Sequence, residues 1–541
     1  MVKLTVQRTI FFLCLWMLLH LFLRTQILID PGSLWHVRVG EQIQKHGFYF
    51  SEPFTWYYAN NEWIPQQWLA EYLFAIGQHL GGYELLVQIV FVAFAWLGSG
   101  LFVQYRNSGM NPLLAGMIVL FEMAAISFHV FLRPHLLSIL FFGILIYWLD
   151  RQDRLGFRWF SWLKLSFLVI FWLNCHGGVL GGLVTIDLMV VFWIFRYLLS
   201  SKNEEQNEPA SVKSNSFYFS SKNILQHLLL LGFLHSLVLL NPYGIRLASA
   251  WWKIVGSTDI TEYIVEHQPL DFTKSGGVSL VFFAVFYIFI LLGVPRSQWR
   301  AISFIPIIWF ILTLKSIRHG PLFCAAAAVC LIDLIPLSRW YHWLKRHGDY
   351  LITDPLQNSI SNSCHVKKTR WLVPIPIIAF LIIALTIVCQ RNGIACPFLG
   401  KDWVQINSEV LPVDFIPTIQ EYAQSRPKDF PIFNDPNLGG FLIYFAPTLK
   451  IYMDDRIELC EDKGLKEYLD IMKEPEKLEL FWQKIENTPG AKLDRIFLFC
   501  KNPIRKYLDA HPEKYPILKE TELAVLYERR INQKINRGPT E

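Results

Sequence analysis

The sequence predicts an α-helical polytopic membrane protein with about eleven transmembrane helices, followed by a C-terminal soluble α/β domain. Three observations support this fold class. The chain is 53% hydrophobic and only 17% charged, which is unusual for a water-soluble globular protein. Apolar runs recur, and many have the ~20 residues that a helix needs to cross ~30 Å of hydrocarbon. The basic residues cluster in alternate loops, which is the pattern of a multi-pass membrane protein whose short cytoplasmic loops are rich in Lys and Arg.

The predicted spans share an apolar run bounded by polar or turn-forming residues. In chain order they are Thr9–Ile29, Leu85–Val103, Leu113–Leu132, Leu136–Leu149, Phe157–Leu173, Gly178–Leu198, Ile224–Leu240, Val278–Val294, Ile302–Leu314, Leu322–Leu337 and Trp371–Val388.

The charge pattern orients the spans. The first span lacks a small-residue cleavage site before Asp30, so we expect it to remain as an anchor rather than to be removed as a signal peptide. The basic loops alternate with loops poor in Lys and Arg, which predicts a cytoplasmic N-terminus and places the chain after Val388 outside. The net charge of +6 follows from this topology and predicts no nucleic-acid partner.

The composition shift predicts two domains. Residues 1–395 form the transmembrane domain, which includes a first outer loop over residues 30–82, and residues 396–541 form an extracytoplasmic α/β domain. In the second domain, helical periodicity over Ile416–Gln424, 464–472 and 478–486 alternates with strand-like segments. The strand-like segments are 431–433, 450–453, Arg495–Phe499 and 523–528.

The first outer loop carries two predicted amphipathic helices. Trp35, Val39 and Ile43 recur at helical spacing after Asp30-Pro31, and a similar apolar pattern follows Pro65. Trp and Tyr suit the headgroup zone of a bilayer, so we expect both helices to lie on the membrane surface and to contact membrane lipids.

Polar residues gather at the predicted outer ends of the spans, and we expect them to line a polar cavity that opens outward. Carboxylates there suit proton transfer or metal binding, and Arg and His suit an anion such as phosphate. The outer ends carry Asp30 and His36, Arg133 and His135, Asn174 and His176, and Arg318 and His319, and the loop 251–275 adds Asp259, Glu262, Glu266 and His267.

Purely structural roles remain open for several of these residues. Asp30 before Pro31 is typical of a helix N-cap, and His36 would be compatible with a headgroup contact. Asn174 and His176 stand beside two glycines, as they would in a simple turn. Arg133 and Arg318 are harder to explain this way, because positive charge is disfavoured on the outer side.

The outer side would also expose cysteines to an oxidising compartment. One or two disulfides are therefore compatible with the sequence, although the spacing does not define their pairing. The cysteines concerned are Cys389, Cys396, Cys460 and Cys500.

Several motifs, in this order along the chain, resemble those of a bacterial branch of the GT-C glycosyltransferase superfamily that is similar to protein mannosyltransferases. The most specific is the first-loop motif that begins Asp30-Pro31-Gly32 and continues through Trp35-His36 to Glu41. The others are Arg133-Pro134-His135, Trp172-Leu173-Asn174 with His176-Gly177-Gly178, Asn241-Pro242-Tyr243-Gly244, and Asn434, Gly439-Gly440 and Asp455-Arg456 in the C-terminal region.

The resemblance implies an enzyme of the bacterial cytoplasmic (inner) membrane that moves a hexose or pentose, with inversion, from a polyprenyl-phosphate carrier to a glycan, lipid or protein acceptor. Asp30 would be the catalytic base or a metal ligand. A divalent metal remains open, because Gly32 and Ser33 stand where many relatives carry a second acidic residue. Glu41, Glu52 and Glu71 are the candidate second carboxylates. The candidate substrate-binding residues are His36, Glu41, Arg133, His135, Asn174, His176, Arg318 and His319.

Two other function classes remain. A transporter or flippase for a lipid-linked glycan would also be polytopic, but repeated halves with ionisable residues at the midplane are not evident in the sequence. A non-catalytic membrane scaffold of envelope assembly would explain the soluble domain. Substitution of Asp30 would inactivate an enzyme and spare a scaffold.

Overall fold

The computed structural model describes residues 2–59, 61–155, 159–203, 221–256, 265–347, 374–486 and 493–530. The chain forms two compact units, each built from separate stretches of sequence. The first contains Met1–Arg24, Gly77–Ala248 and Thr261–Val404, and the second contains Thr25–Ile76, Ser249–Ile260 and Gln405–Glu541. Unlike the predicted division at residue 395, the second unit includes part of the first loop. The domain boundaries remain a prediction.

Helices dominate the described residues outside the C-terminal region. Their bounds are Val2–Leu23, Gly32–His46, Trp68–Asn107, Pro112–Ile126, His135–Leu155, Trp159–Cys175, Val179–Asn203, Ser221–Ser236, Ile245–Gly256, Ser275–Gly293, Ile305–Lys315, Gly320–Leu337, Arg339–His347 and Pro374–Arg391.

Seven helices in the described part of the chain are long and apolar enough to cross a membrane by length and composition. Three shorter apolar helices, Trp162–Cys175, Ile224–Leu239 and Ala301–Lys315, lie on further predicted spans. The predicted span Leu136–Leu149 lies within the helix His135–Leu155. A multi-pass membrane protein is therefore supported, whereas the number of eleven spans remains a prediction.

The second span and the helix before it are interrupted by a glycine pair. Helical structure runs from Trp68 to Asn107, but Gly81 and Gly82 depart from helical geometry, and Gly82 has a φ of 68°. A positive φ favours glycine because it has no Cβ. The pair therefore separates the amphipathic helix predicted after Pro65 from the apolar span.

The first predicted amphipathic helix is present as Gly32–His46, but its apolar face is not on the surface. Trp35 is 4% exposed, and Val39 and Ile43 are also buried. The helix packs against Pro436–Phe445, a helix of the same unit. The membrane-surface interpretation of this helix is therefore wrong, because its apolar residues are buried by protein.

A four-stranded sheet organises the C-terminal part of the second unit. Its spatial order is Phe433–Asn434, Arg495–Phe499, Ala524–Glu528, Ile517–Glu520. The first pair is parallel and the other two pairs are antiparallel. A separate parallel pair joins Phe430–Pro431 to Leu449–Lys450. The helices of this region are Ile416–Gln424, Pro436–Phe445, Ile457–Lys473, Lys477–Glu486 and Ile504–Asp509.

The predicted helix Ile416–Gln424 and strand Arg495–Phe499 are present with the same bounds. The helix Pro436–Phe445 was missed, because Gly439 and Gly440 weaken a helical pattern. Asp435 caps this helix by accepting a hydrogen bond from the Asn437 backbone N–H at 3.0 Å. Two of the basic loops that the charge pattern assigns to the cytoplasm, residues 200–222 and 339–370, fall largely outside the described residues. Asp259 and Glu262 also lie outside them.

Candidate functional site

Arg133 and Glu266 face each other in the first unit. Arg133 lies in the turn just before the helix His135–Leu155, and Glu266 lies in a short helical turn, Val265–His267. The distance from Arg133 Nη1 to Glu266 Oε1 is 3.5 Å, and the side chains are 23% and 30% exposed. Both groups therefore stay accessible to a ligand while they interact.

Arg318 is held by His267, a histidine of the loop that carries Glu266. It lies in the turn Ile317–His319, which precedes the helix Gly320–Leu337. Its Nη1 donates to His267 Nε2 at 2.5 Å. A guanidinium has only donors, so this nitrogen must accept, which requires a neutral His267 with its proton on Nδ1.

Hydrogen bonds to backbone carbonyls fix this turn against the loop that carries Glu266 and His267. The Ile317 N–H donates to the Gln268 carbonyl at 3.0 Å. The Ser316 hydroxyl donates to the Glu266 carbonyl at 3.2 Å. The main chain around Glu266 and His267 is thus hydrogen-bonded to the turn that carries Arg318.

Electrostatics assign charge states to the cluster. Burial raises the pKa of Glu266, but the charges of Arg133, His129 and other neighbours outweigh burial and hold that pKa well below its usual range. Burial and the Arg318 charge lower the pKa of His267 to about 4. At neutral pH, two guanidinium groups therefore oppose one carboxylate, and the balance is positive.

His176 is also neutral. Burial and the charges of His135, Arg318 and Arg133 hold its pKa well below the usual range. The Gly178 N–H donates to His176 Nδ1 at 2.9 Å, so the ring proton is on Nε2. This nitrogen is a hydrogen-bond donor rather than a base.

The sequence predicted Arg133, His135, His176 and Arg318 in one outer cavity, and the structure places the first, second and fourth of these close enough to influence the pKa of His176. His135 Nε2 is 2.9 Å from the His129 carbonyl oxygen. Glu266 and His267 were assigned to the outer side but were left out of the candidate site. Their signal was a carboxylate beside an imidazole in a predicted outer loop that also carries Asp259 and Glu262.

We call the group Arg133, His135, His176, Glu266, His267 and Arg318 the cationic cluster. Asn174 and His319 lie near it and contact backbone carbonyls. The Asn174 side-chain amide donates to the Ile170 and Leu240 carbonyls at 2.8 and 3.0 Å. His319 Nδ1 is 3.2 Å from the Leu312 carbonyl oxygen. Their predicted substrate-binding role remains a prediction.

In the second unit, Asp30 accepts a backbone hydrogen bond. The Gly32 N–H donates to Asp30 Oδ1 at 2.7 Å, and the Ser33 N–H donates to the Asp30 carbonyl at 3.0 Å. The carboxylate therefore closes a turn directly before the helix Gly32–His46. The N-cap of this helix is Pro31, without a side-chain cap bond, so the predicted N-cap position of Asp30 is wrong by one residue. Asp30 is half-buried and remains partly accessible.

Two candidate second carboxylates of the first loop, Glu71 and Glu41, are paired. His36 is fully buried, and its Nδ1 is 2.9 Å from Glu71 Oε1. Arg38 contacts Glu41 Oε2 at 2.7 Å. The predicted roles of His36 and Glu41 in substrate binding remain predictions. To bind a substrate through the same atoms, His36 would have to lose its contact with Glu71, and Glu41 its contact with Arg38.

Glu52, the remaining candidate second carboxylate, is paired with a buried arginine. Arg456 contacts Glu52 Oε2 at 2.7 Å and Asp454 Oδ2 at 2.6 Å, and all three side chains are at most 1% exposed. The neighbouring Asp455 accepts a hydrogen bond from Trp35 Nε1 at 2.7 Å. The Asp454-Asp455-Arg456 segment therefore ties the first loop to the C-terminal part of the same unit.

Among the described residues, no group of three or more His, Cys, Asp or Glu side chains is arranged to hold a metal ion. The candidate second carboxylates Glu41, Glu52 and Glu71 each already contact a cationic or imidazole partner. A divalent metal at Asp30 remains a prediction.

Comparison with known proteins shows the fold. No protein-family model and no curated protein sequence matches the chain. Crystal structures of the Archaeoglobus fulgidus oligosaccharyltransferase are similar, one tethered to an acceptor peptide containing the NVT sequon (TM-score 0.50, 12% identity) and one in the apo form (0.51, 12%). A third is the same organism's oligosaccharyltransferase AglB with an inhibitory peptide and a dolichol-phosphate (0.51, 11%).

The matches cover 98%, 94% and 89% of this chain and 74%, 71% and 67% of the neighbours, in the same order. Oligosaccharyltransferases of this kind are GT-C proteins. The comparison therefore confirms the GT-C-like fold that the sequence motifs implied. The bacterial branch remains a prediction.

Proposed function

We propose that the chain is a membrane glycosyltransferase that moves a sugar from a polyprenyl-phosphate carrier to an acceptor on the extracytoplasmic face. The observation that carries the proposal is the cationic cluster, in which Arg133 and Arg318 outnumber the single carboxylate of Glu266. A GT-C-like fold shared with enzymes that were captured with a dolichol-phosphate or an acceptor peptide supports the same reaction class.

The cluster suits a phosphate leaving group. When the bond from the sugar to the carrier breaks, negative charge develops on the lipid phosphate, and fixed cations lower the energy of that transition state. Arg318 donates one N–H to His267 and keeps further donors for phosphate oxygens. The Nε2–H of His176 provides another donor.

Asp30 is the proposed base. An inverting transfer requires a group that removes the proton from the acceptor hydroxyl as the new bond forms. The proposal for Asp30 rests on its place directly after the first span, where the resembling family carries its essential acid, and on its partial exposure.

The donor is proposed as a polyprenyl-phosphate hexose or pentose, and the acceptor as a glycan, lipid or protein. One neighbour was crystallised with an acceptor peptide, so a peptide is the first acceptor to test. The basic-loop pattern supports the extracytoplasmic side of a bacterial inner membrane as the site of transfer.

The test is sugar transfer in proteoliposomes, with a panel of polyprenyl-phosphate hexoses and pentoses and with peptide, glycan and lipid acceptors. Wild type is compared with Arg318→Ala and with Arg391→Ala, which removes the same charge from an exposed position at the end of the helix Pro374–Arg391. The proposal predicts transfer that Arg318→Ala strongly reduces and Arg391→Ala preserves. Movement of intact lipid-linked sugar across the bilayer without transfer would favour a flippase, and neither activity would favour a scaffold.

A further inference from the structure

Two cysteines lie side by side where the last helix of the first unit ends. Cys389 is in the final turns of the helix Pro374–Arg391, and Cys396 is in the segment that follows it. Their Sγ atoms are 3.9 Å apart. The sequence left the pairing of the cysteines open, and this contact selects one pair.

The backbone brings the two cysteines together through a tight reversal. Gly393 has a φ of 63°, which favours glycine. The Ile394 N–H donates to the Cys389 carbonyl at 2.9 Å, and so the chain turns back onto the helix end. This geometry matches the glycine-based ends that helices commonly adopt.

A second reversal fixes Cys396 from the other side. The Gly400 N–H donates to the Cys396 carbonyl at 2.9 Å. A Cβ on Gly400 would lie 2.0 Å from the Cys396 nitrogen, so this approach requires glycine. The two sulfur atoms are therefore held as neighbours by the main chain, and side-chain rotation has to close only the gap to the ~2.05 Å of an S–S bond.

We propose that Cys389 and Cys396 form a disulfide in the mature protein. Two S–H bonds break and one S–S bond forms, and the two protons and two electrons pass by thiol–disulfide exchange to a protein disulfide oxidant of the extracytoplasmic compartment, whose own disulfide becomes two thiols. The proposal agrees with the predicted outer location of this segment and does not depend on the glycosyltransferase function.

The cross-link restrains a segment that packs onto the first and second membrane helices. The Phe398 ring centroid is 5.6 Å from that of Trp16, and the Phe398 carbonyl accepts a hydrogen bond from Gln88 Nε2 at 2.8 Å. Trp403 Nε1 lies 3.1 Å from His20 Nδ1. The disulfide would therefore hold the end of the last helix to a loop that is anchored on Val2–Leu23 and Trp68–Asn107.

Trypsin provides a direct test, because it cleaves after Arg391, between the two cysteines. Membranes are isolated with an alkylating agent and without reductant, and the wild-type protein is digested and analysed by mass spectrometry. The expected product is peptide 371–391 linked to peptide 392–401, with alkylation of Cys396 about tenfold or more below that of a reduced sample. This measurement needs no variant and so does not depend on how a variant folds.

Variants then test the restraint. Reductant is expected to lower the melting temperature of wild type and of Cys500→Ser, but not of Cys389→Ser/Cys396→Ser. Cys500 is a suitable control because its Sγ donates to the Thr521 carbonyl at 3.3 Å and not to another described cysteine. Full alkylation of both cysteines in unreduced membranes, or linkage of Cys396 to a different cysteine, would overturn the proposal.

Discussion

Removal of the Arg318 guanidinium is the perturbation that most directly probes the proposed chemistry. Among the described residues Arg318 has no salt-bridge partner, and its close contact is the neutral ring of His267. Arg318→Ala therefore leaves no carboxylate without a partner. Arg133→Ala is less clean, because Glu266 would lose the cation that faces it at 3.5 Å.

The expected loss can be estimated from the charge. A cation about 4 Å from a phosphate oxygen contributes at most about 4 kcal/mol at an effective dielectric constant near 20. Loss of one donor from the oxyanion hole of an acyl-transfer enzyme costs about 2.7–4 kcal/mol. We therefore expect Arg318→Ala to lower kcat by about 10²–10³-fold. Arg318→Lys keeps the charge but not the fork that reaches both His267 and a phosphate, and should lose about tenfold.

The assay pairs sugar transfer with binding of a long-chain polyprenyl phosphate and with thermal unfolding in the same detergent. Transfer should fall in the order wild type, Lys variant, Ala variant, while the melting temperatures stay close to that of Arg391→Ala. Equal transfer by all three proteins would refute the role of Arg318 at the leaving group. A large fall in melting temperature for Arg318→Ala would show instead that the arginine is structural.

Three further predictions concern other groups. Asp30→Asn should lower transfer by about 10²-fold or more, as expected for loss of a base, with little change in stability because the amide oxygen still accepts the backbone N–H; near-normal transfer, or a loss in Glu41→Gln instead, would exclude Asp30 as the base. The fold lowers the pKa of His267 from 6.5 to about 4, so as the pH falls the unfolded chain binds this proton before the folded chain does. The stability that neutral His267 contributes should be complete above pH 6.5 and should decline as the pH falls to about 4. Melting temperatures of His267→Gln should lack this decline between pH 6.5 and 4, and the same pH dependence in the variant and the wild type would contradict the prediction. Arg456→Met should destabilise the second unit by about 3–5 kcal/mol because two buried carboxylates lose their cation, measured by limited proteolysis against Arg530→Met, whose side chain is 61% exposed; equal proteolysis of both variants would refute it.

Hydrophobicity alone predicted where most helices of the first unit lie, because a span needs a long apolar run whatever its partners are. It failed on the face of Gly32–His46. Trp35, Val39 and Ile43 have the spacing of a surface-bound amphipathic helix, and nothing local distinguishes a lipid surface from a protein surface. Only the fold shows that Pro436–Phe445 covers this face.

The candidate site was predicted in part for a similar reason. Arg133 and Arg318 stood out because positive charge is unexpected at outer helix ends. The role of Glu266 depends on its contact with Arg133, more than a hundred positions away in sequence. The role of His267 depends on its contact with Arg318, about fifty positions away. The neutral state of His176 likewise depends on burial and on neighbours that are distant in sequence.

Two glycines confine the helix Gly32–His46 by direct main-chain contact. A Cβ at Gly40 would lie 2.0 Å from the Glu71 carbonyl oxygen, and a Cβ at Gly440 would lie 2.4 Å from the Pro31 carbonyl oxygen. Main-chain atoms cannot adapt by changing rotamer, so neither contact can absorb even one added methyl group without moving the helix. Any other residue at these two positions would therefore displace the helix. The two glycines thus fix the position of the helix start, beside which Asp30 lies.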